Sequence, residues 1–347
     1  MSEQGKETRA DAPTRGSGDP RRLLNVVKRP PYRNALVIVA VAITMASLFA
    51  ASYSLVLGRA TPHHLPTGLV GDPARRPQLV NALKRATRGA LEYQPLPSIA
   101  AARTAINEQK IYAALVLEPG KPRLLISSAS GVSVARVLEQ ATLQVAQHVS
   151  PPIAIVDLHP LPPADPQGLV AFYVTLAATI LGFTSMFQLA AHAPQLSLRA
   201  WLAFVVVLAV LGGLSLALVT DPLIGALRGA FTELWFSLTG EVAAAALFSS
   251  AMRCLLRAWA IVPTWLLFVV LGNTSSGGAV APPLLPPVFA FIGRFLPPGA
   301  TVNILRRAVY FPHEQHIEPF LVQAGWIICA LAGLLLCARL GHKRPAE

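Results

Sequence analysis

Two carboxylates stand inside an apolar run. The stretch "AFTELWFSLTGEVAAAALFSSA", residues 230–251, carries Glu233 and Glu241 among residues otherwise suited to hydrocarbon. A charge near the centre of a bilayer is costly unless it is paired, hydrated or protonated. Counting from Phe231 at about 1.5 Å per residue puts Glu241 about 15 Å along, near the middle of a bilayer. Intramembrane carboxyls mark substrate paths and proton sites. Such a path would run along Glu233, Ser237, Thr239 and Glu241. A second reading stays open: a carboxyl satisfied by hydroxyls of the Ser237, Thr239 or Ser249 kind.

Other constellations carry less. His313-Glu314-Gln315-His316 is H-E-x-H, one residue short of the spacing that sets two imidazoles on one helical face. It reads as solvated loop, as does His63-His64, and neither a metal nor a cofactor is expected. Gly120-Lys121 lacks the upstream glycine and the following hydroxyl of a phosphate-binding loop. If ATP drives this protein, a separate subunit must hydrolyse it. No nucleophile stands beside a base, so an enzyme is not expected. Cys254, Cys329 and Cys337 all fall in or beside apolar runs, and neither a disulfide framework nor a C-x-x-C site is expected. Gly212-Gly213 reads as close helix contact. Trp259, Trp265 and Trp326 read as buried or interfacial anchors.

The elements that must position these residues follow from composition. Hydrophobic residues make up 53% of the chain and charged residues 13%, against about 25% charged in soluble domains. Mean hydropathy is +0.52. The net charge of +12 is placed beside apolar runs, which fits the positive-inside rule rather than a nucleic-acid partner. Six uncharged or nearly uncharged runs follow one another: 35–57, 168–191, 200–219, 230–251, 255–272 with Pro263 inside it, and 320–340. The first exceeds a signal-peptide core and reads as an uncleaved anchor. Ahead of it, residues 1–33 hold eight Lys/Arg and four Asp/Glu. Residues 20–33 read either as a short amphipathic helix on the membrane surface or as a plain basic flank. With both termini in the cytoplasm, the inner pieces hold fourteen basic residues: eight in 1–33, then Arg199, Arg253, Arg257, Arg339, Lys343 and Arg344. The short outer loops hold four: Arg228, Arg294, Arg306 and Arg307. That bias predicts a multi-pass protein of the plasma (inner) membrane with 58–166 and 273–319 outside and 341–347 as a cytoplasmic tail.

Residues 58–166 are polar and mixed in charge. Helical spacing occurs over 74–91, 97–109 and 131–149. "IYAALVL" (111–117) and "PRLLISS" (122–128) read as neighbouring strands, and "IAIVD" (153–157) as a third. The expected fold class is therefore an α-helical membrane protein with six transmembrane helices and a small extracytoplasmic α/β domain between the first and second: 34–57, then 58–166, then a five-helix membrane domain over 167–340. Within the latter, 273–311 is broken by Pro282, Pro283, Pro286, Pro287, Pro297 and Pro298. It reads as short helices lying at or dipping into the outer leaflet, their arginines near lipid phosphates. Residues 301–311 read as a helix with Val302, Leu305 and Val309 on one face.

This order of features resembles the ABC-2-type transporter permease family, and within it the phage-infection-protein-like branch related to nitrosoguanidine-resistance membrane proteins. The residues that carry the resemblance are "PPADPQGL" (162–169) and "GNTSSGGAVAPPLLPPVFAFIGRFLPPGATVNILRRAVYF" (272–311). The likeness implies a re-entrant outer segment marked by Asn273, Ser276, Gly277, Gly278, Pro297, Pro298, Gly299 and Arg306. It also implies a homodimer or heterodimer in the lipid bilayer, a separate ATPase subunit, and export of a lipid-like, polymer or drug-like substrate. The loop "AHAPQLSLR" (191–199) is short for a coupling helix. The rival expectations are a non-transporting receptor or scaffold that presents 58–166, and a proton-driven exporter.

Overall fold

The computed structural model describes residues 30–58, 61–117, 120–147 and 149–341. The basic segment before Pro30, the turn at Pro119 and the tail after Gly341 lie outside the described residues. The chain divides into two compact units, one ending at Leu48 and one beginning at Phe49. The described part of the first unit is the opening of helix α1 (Pro30–Val56), whose Leu36, Ile38, Ile43 and Leu48 are all exposed.

The second unit contains a five-stranded sheet, β1 (Leu65–Val70), β2 (Leu91–Leu96), β3 (Ala113–Val116), β4 (Arg123–Ile126) and β5 (Ala154–Asp157), in the order β2-β1-β3-β4-β5. All neighbours are parallel except β3 and β4, the two strands expected to be neighbours, which pair antiparallel with Ala114 opposite Leu125. Three helices cover the sheet: α2 (Pro77–Ala86), α3 (Ile99–Asn107) and α4 (Val132–Ala146). Alternate strand residues face opposite ways. Val70, Ala114, Val116 and Leu125 meet Ala102 and Ile106 of α3. Leu69, Leu115, Leu124 and Ile126 meet Leu79, Leu83, Val134 and Leu138 of α2 and α4. Strands β1 and β2 were not foreseen. Pro66 and Gly68 interrupt the first, and Glu92, Gln94 and Pro95 make the second polar; β2 tolerates its proline because it is an edge strand.

The remaining helices are α5 (Val170–His192), α6 (Leu198–Leu218), α7 (Phe231–Leu256), the short α8 (Ile261–Trp265), α9 (Pro287–Ile292), α10 (Pro297–Tyr310) and α11 (Glu318–Gly341). Caps set several boundaries. The Asp165 carboxylate accepts from Leu169 N (2.9 Å) and Val170 N (3.1 Å), so "PPADPQGL" is the start signal of α5. Ser197 Oγ accepts from Ala200 N at the start of α6. Pro297 and Pro298 open α10, where a missing N–H costs nothing.

Five helical stretches among the described residues are long and apolar enough to cross a membrane: Tyr32–Val56, Val170–His192, Leu198–Leu223, Phe231–Asn273 and Glu318–Leu340. The bent pair Pro287–Phe295 and Pro297–Tyr310 would make a sixth if it were one span. The runs expected at 230–251 and 255–272 thus form one 43-residue stretch. At about 1.5 Å per residue that is about 65 Å, twice the thickness of a bilayer core. The chain folds back at Arg257, whose φ is +53°, and the Phe248 and Phe268 rings meet at 5.6 Å. Past the fold the helix widens into π-helical turns over Leu266–Asn273.

The segment 273–311 departs most from expectation. Val280, Ala281, Leu284 and Leu285 are buried in the core of the sheet domain, against the side that carries α2 and α4. Ala281 N donates to Ser133 Oγ (3.0 Å) and His63 N to Pro283 O (2.8 Å). This proline-rich stretch is an arm of the α/β domain rather than a leaflet-lying helix. Pro282 and Pro283 suit it because they open a single 3-10 turn, Pro282–Leu284, where their missing N–H groups would have no intrahelical partner.

Candidate functional site

The helix that carries Glu241 is the hub of the bundle, because three glycines let neighbours approach its backbone. A Cβ on Gly182 of α5 would stand 2.6 Å from Val242 O. One on Gly213 of α6 would stand 2.6 Å from Thr239 N, and one on Gly240 would stand 2.5 Å from the Gln323 amide carbon of α11. Helix α10 closes the ring, with Thr301, Val302 and Leu305 fully buried.

Glu241 is fully buried in this ring. Thr179 Oγ1 of α5 donates to Oε1 at 2.6 Å and Thr301 Oγ1 of α10 donates to Oε2 at 2.7 Å. Gln323 Nε2 of α11 donates to Thr301 Oγ1 (2.9 Å) and to the Ser237 carbonyl (2.9 Å). Five groups from four helices thus form one connected polar network. Each bond to an ionised carboxylate would contribute about 1.5–3 kcal/mol, and leaving one partner unpaired would cost a similar amount. The second reading of Glu241, a carboxyl satisfied by neighbouring hydroxyls, describes this geometry. The hydroxyls are those of Thr179 and Thr301, however, not Ser237, Thr239 or Ser249.

The other expected path residues are not assembled with it. Glu233 is exposed in the first turn of α7. The hydroxyls of Ser237 and Thr239 are buried without a hydrogen-bond partner among the described residues. Ser237 enters the network only through its backbone carbonyl, and Thr239 lies against Gly213. Of the side chains expected along α7, only that of Glu241 belongs to the network, and Glu233 stands apart at the helix end.

In the segment 273–311, Asn273 is buried and its Nδ2 donates to the Tyr53 hydroxyl at 2.5 Å, while its Oδ1 has no partner among the described residues. Ser276 Oγ donates to Asn273 O (2.7 Å) and accepts from Gly278 N (3.3 Å). Gly277 turns with φ +76°, and a Cβ on Gly278 would press on Phe172. The Arg306 guanidinium donates to the carbonyls of Gly277 (3.2 Å) and Gly278 (3.4 Å). It is a tie inside the protein, which corrects the expectation of an arginine facing lipid phosphate. Pro297, Pro298 and Gly299 are buried at an 81° bend between α9 and α10. A Cβ on Gly293 would fall 1.9 Å from Ser275 O, and one on Gly299 2.0 Å from Gly293 O. Trp326 Nε1 donates to Phe295 O (2.7 Å), fastening the bend to α11.

At the junction with the sheet domain, the His159 ring lies 4.7 Å from that of Phe311 and its Nε2 bonds Asn107 Oδ1 at 2.8 Å. Burial holds the His159 pKa below its ordinary value, partly offset by Asp157. Burial raises the Tyr112 phenol, and Arg306, Arg294 and Arg307 draw it part of the way back. Burial also pushes Tyr93 up to about 12.

Cys254 and Cys337 are joined by a disulfide that ties the ends of α7 and α11, while Cys329 is free and exposed. This overturns the expectation of no disulfide pairing, since residues 83 apart in two apolar runs give no sign of adjacency. His313 and His316 stand exposed, and no group of three or more metal-ligating side chains occurs among the described residues.

Sequence reasoning missed Thr179, Thr301, Gln323 and Tyr53. Gln323 had a signal, being the one amide in the run "FLVQAGWIICALAGLLLC". A lone Thr in an apolar helix has none, because its hydroxyl can return to its own backbone, as that of Thr175 does to Ala171 O. No protein-family model, curated protein or solved structure matches this chain.

Proposed function

We propose that this protein is an integral membrane permease subunit that exports a lipid-like, polymer or drug-like substrate without covalent chemistry, with energy from a separate ATPase. The membrane setting is supported by the exposed apolar side chains of the long helices, among them Val206, Val207, Leu211, Phe236, Ile328 and Leu336. Such a surface is favourable against lipid and costs about 25 cal/mol per Å² in water. Six crossings follow if the stretch folded at Arg257 counts as two and the bent α9–α10 pair enters and leaves on one side. Helix α10, about 21 Å long, is too short to cross alone.

One observation carries the transport reading: the Thr301–Glu241 bond fastens a broken, buried half-helix to an intramembrane carboxylate on the central helix. Discontinuous helices joined to buried polar groups are the usual makings of a transport site. The ABC-2 likeness of 272–311 points the same way.

The test is efflux of a fluorescent amphiphile from cells that express the full chain. Wild type should lower accumulation, and Glu241→Gln should abolish the effect while inserting at equal level. Solubilised membranes should yield an ATPase bound to the protein. Unchanged efflux in the variant would remove Glu241 from the mechanism. Efflux that collapses with the proton gradient, with no ATPase captured, would replace the ATP-driven reading by the proton-driven one. A receptor reading is favoured by one feature, a surface cavity of about 680 Å³ on the sheet domain lined by Lys84, Arg85 and Arg88. Unaltered efflux on deleting the protein, together with polyanion binding there, would select it.

A further inference from the structure

Two charged groups and a hydroxyl meet between the start of α5 and the end of α10. The local sequence brings them there. Asp165 caps α5, and Arg306 and Tyr310 stand one helical turn apart on one side of α10. Asp165 is buried and forms no ion pair among the described residues. The Tyr310 hydroxyl is buried with no hydrogen-bond partner among the described residues. All three line one small, largely enclosed cavity together with Ser128, and Ala171 and Leu227 close its apolar side.

Each polar group has bonding capacity left. The Asp165 oxygens accept from Leu169 N and Val170 N, one each, and a carboxylate oxygen can accept again. Arg306 reaches the Gly277 and Gly278 carbonyls through Nη2 alone, so the donors on Nη1 and Nε remain. The phenol can both donate and accept. A buried hydroxyl without a partner needs an explanation, and a buried carboxylate is costly unless its oxygens are well hydrogen-bonded.

Size and charge select the occupant. The cavity leaves about 10 Å³ for the centre of a water molecule. One water needs roughly 10–15 Å³ by that measure, so a single molecule fits and nothing larger does. A cation there would face Arg306, and an anion would face Asp165. Water is neutral and offers both hydrogens and lone pairs. We infer that this cavity is a site for one water molecule, which accepts from the Tyr310 hydroxyl and the Arg306 guanidinium and donates to the Asp165 carboxylate. The bridge ties the same two helices that meet at Glu241, since α5 carries Thr179 and α10 carries Thr301. Val170 to Thr179 is about 14 Å along α5, so the pair is fastened at two levels. This rests on the packing and not on the export reading.

The first test is a structure of the full chain at a resolution that shows ordered water. One peak should stand within about 2.7–3.2 Å of both Tyr310 Oη and an Asp165 oxygen. A Tyr310 hydroxyl bonded directly to Asp165, with no peak, would overturn the water site. The second test is Tyr310→Phe, purified in neutral detergent. With the hydroxyl bonded, its loss should lower the melting temperature by about 2–4 °C. An unbonded hydroxyl would be a buried polar atom at a loss, so a melting temperature equal to or above wild type would also overturn the site. In the same variant the Leu169 and Val170 amides, which Asp165 caps, should exchange hydrogen several-fold faster than in wild type. Unchanged exchange would overturn the tie to α5. None of these readouts involves efflux.

Discussion

At the scale of single residues, the polar network makes Thr301 its most exacting member, because one hydroxyl both donates to Glu241 and accepts from Gln323. Thr301→Val should lower stability by about 1–3 kcal/mol, since it leaves a buried carboxylate oxygen and an amide N–H unpaired. Thr301→Ser keeps the hydroxyl and should recover most of the loss, as read by thermal unfolding of the purified protein. Gly293 is a purely steric case. A methyl group there would meet Ser275 O at 1.9 Å, and that atom is backbone that cannot rotate aside. Gly293→Ala should cost at least the 1–3 kcal/mol or so typical of an overfilled core. A melting temperature equal to wild type would show that the bend does not need this contact.

At the scale of elements, helix α7 works as the axle of the bundle and the segment 273–311 as its link to the sheet domain. That link includes the His159–Phe311 ring contact, which depends on pH in a defined direction. Burial disfavours the imidazolium, so the folded-state pKa lies below the unfolded value of about 6.5. The unfolded chain therefore binds the proton more readily. The contribution of His159 is present in full above about pH 6.5 and is lost as pH falls through that value toward the folded pKa. Cooling of the melting temperature between pH 7.5 and 5.5 should be smaller in His159→Gln than in wild type. An identical pH response in the two would show that other groups govern it.

At the scale of the whole molecule, the paired cysteines give a test of which way the bundle faces. Cys254 and Cys337 share one end with Arg253, Arg257 and Arg339, the end that charge bias assigns to the cytoplasm. Cytoplasmic thiols are ordinarily kept reduced. On that orientation the two should alkylate in intact cells without added reductant. Single cysteines placed in 58–166 should react with an impermeant reagent from outside, and one placed near Arg199 should not. Labelling near Arg199 from outside would invert the topology and leave the disulfide in an oxidising compartment.

Much of the local structure was legible because it follows from period and composition. The uncharged runs, the β3–β4 pair, the helices of the α/β domain and the break at Pro297-Pro298 each depend on a few neighbouring residues, whose side chains and missing N–H groups act over one or two turns. What the tertiary structure alone decided is which distant atoms meet. Thr179 and Thr301, 62 and 60 residues from Glu241, became its donors, Glu233 was left outside, two cysteines were paired, and a proline-rich stretch entered the core of another domain. Those outcomes turn on close approaches at Gly182, Gly213, Gly240 and Gly293, where a single absent Cβ sets the distance between backbones. A short-range pattern marks a glycine, but it cannot say which backbone will fill the space.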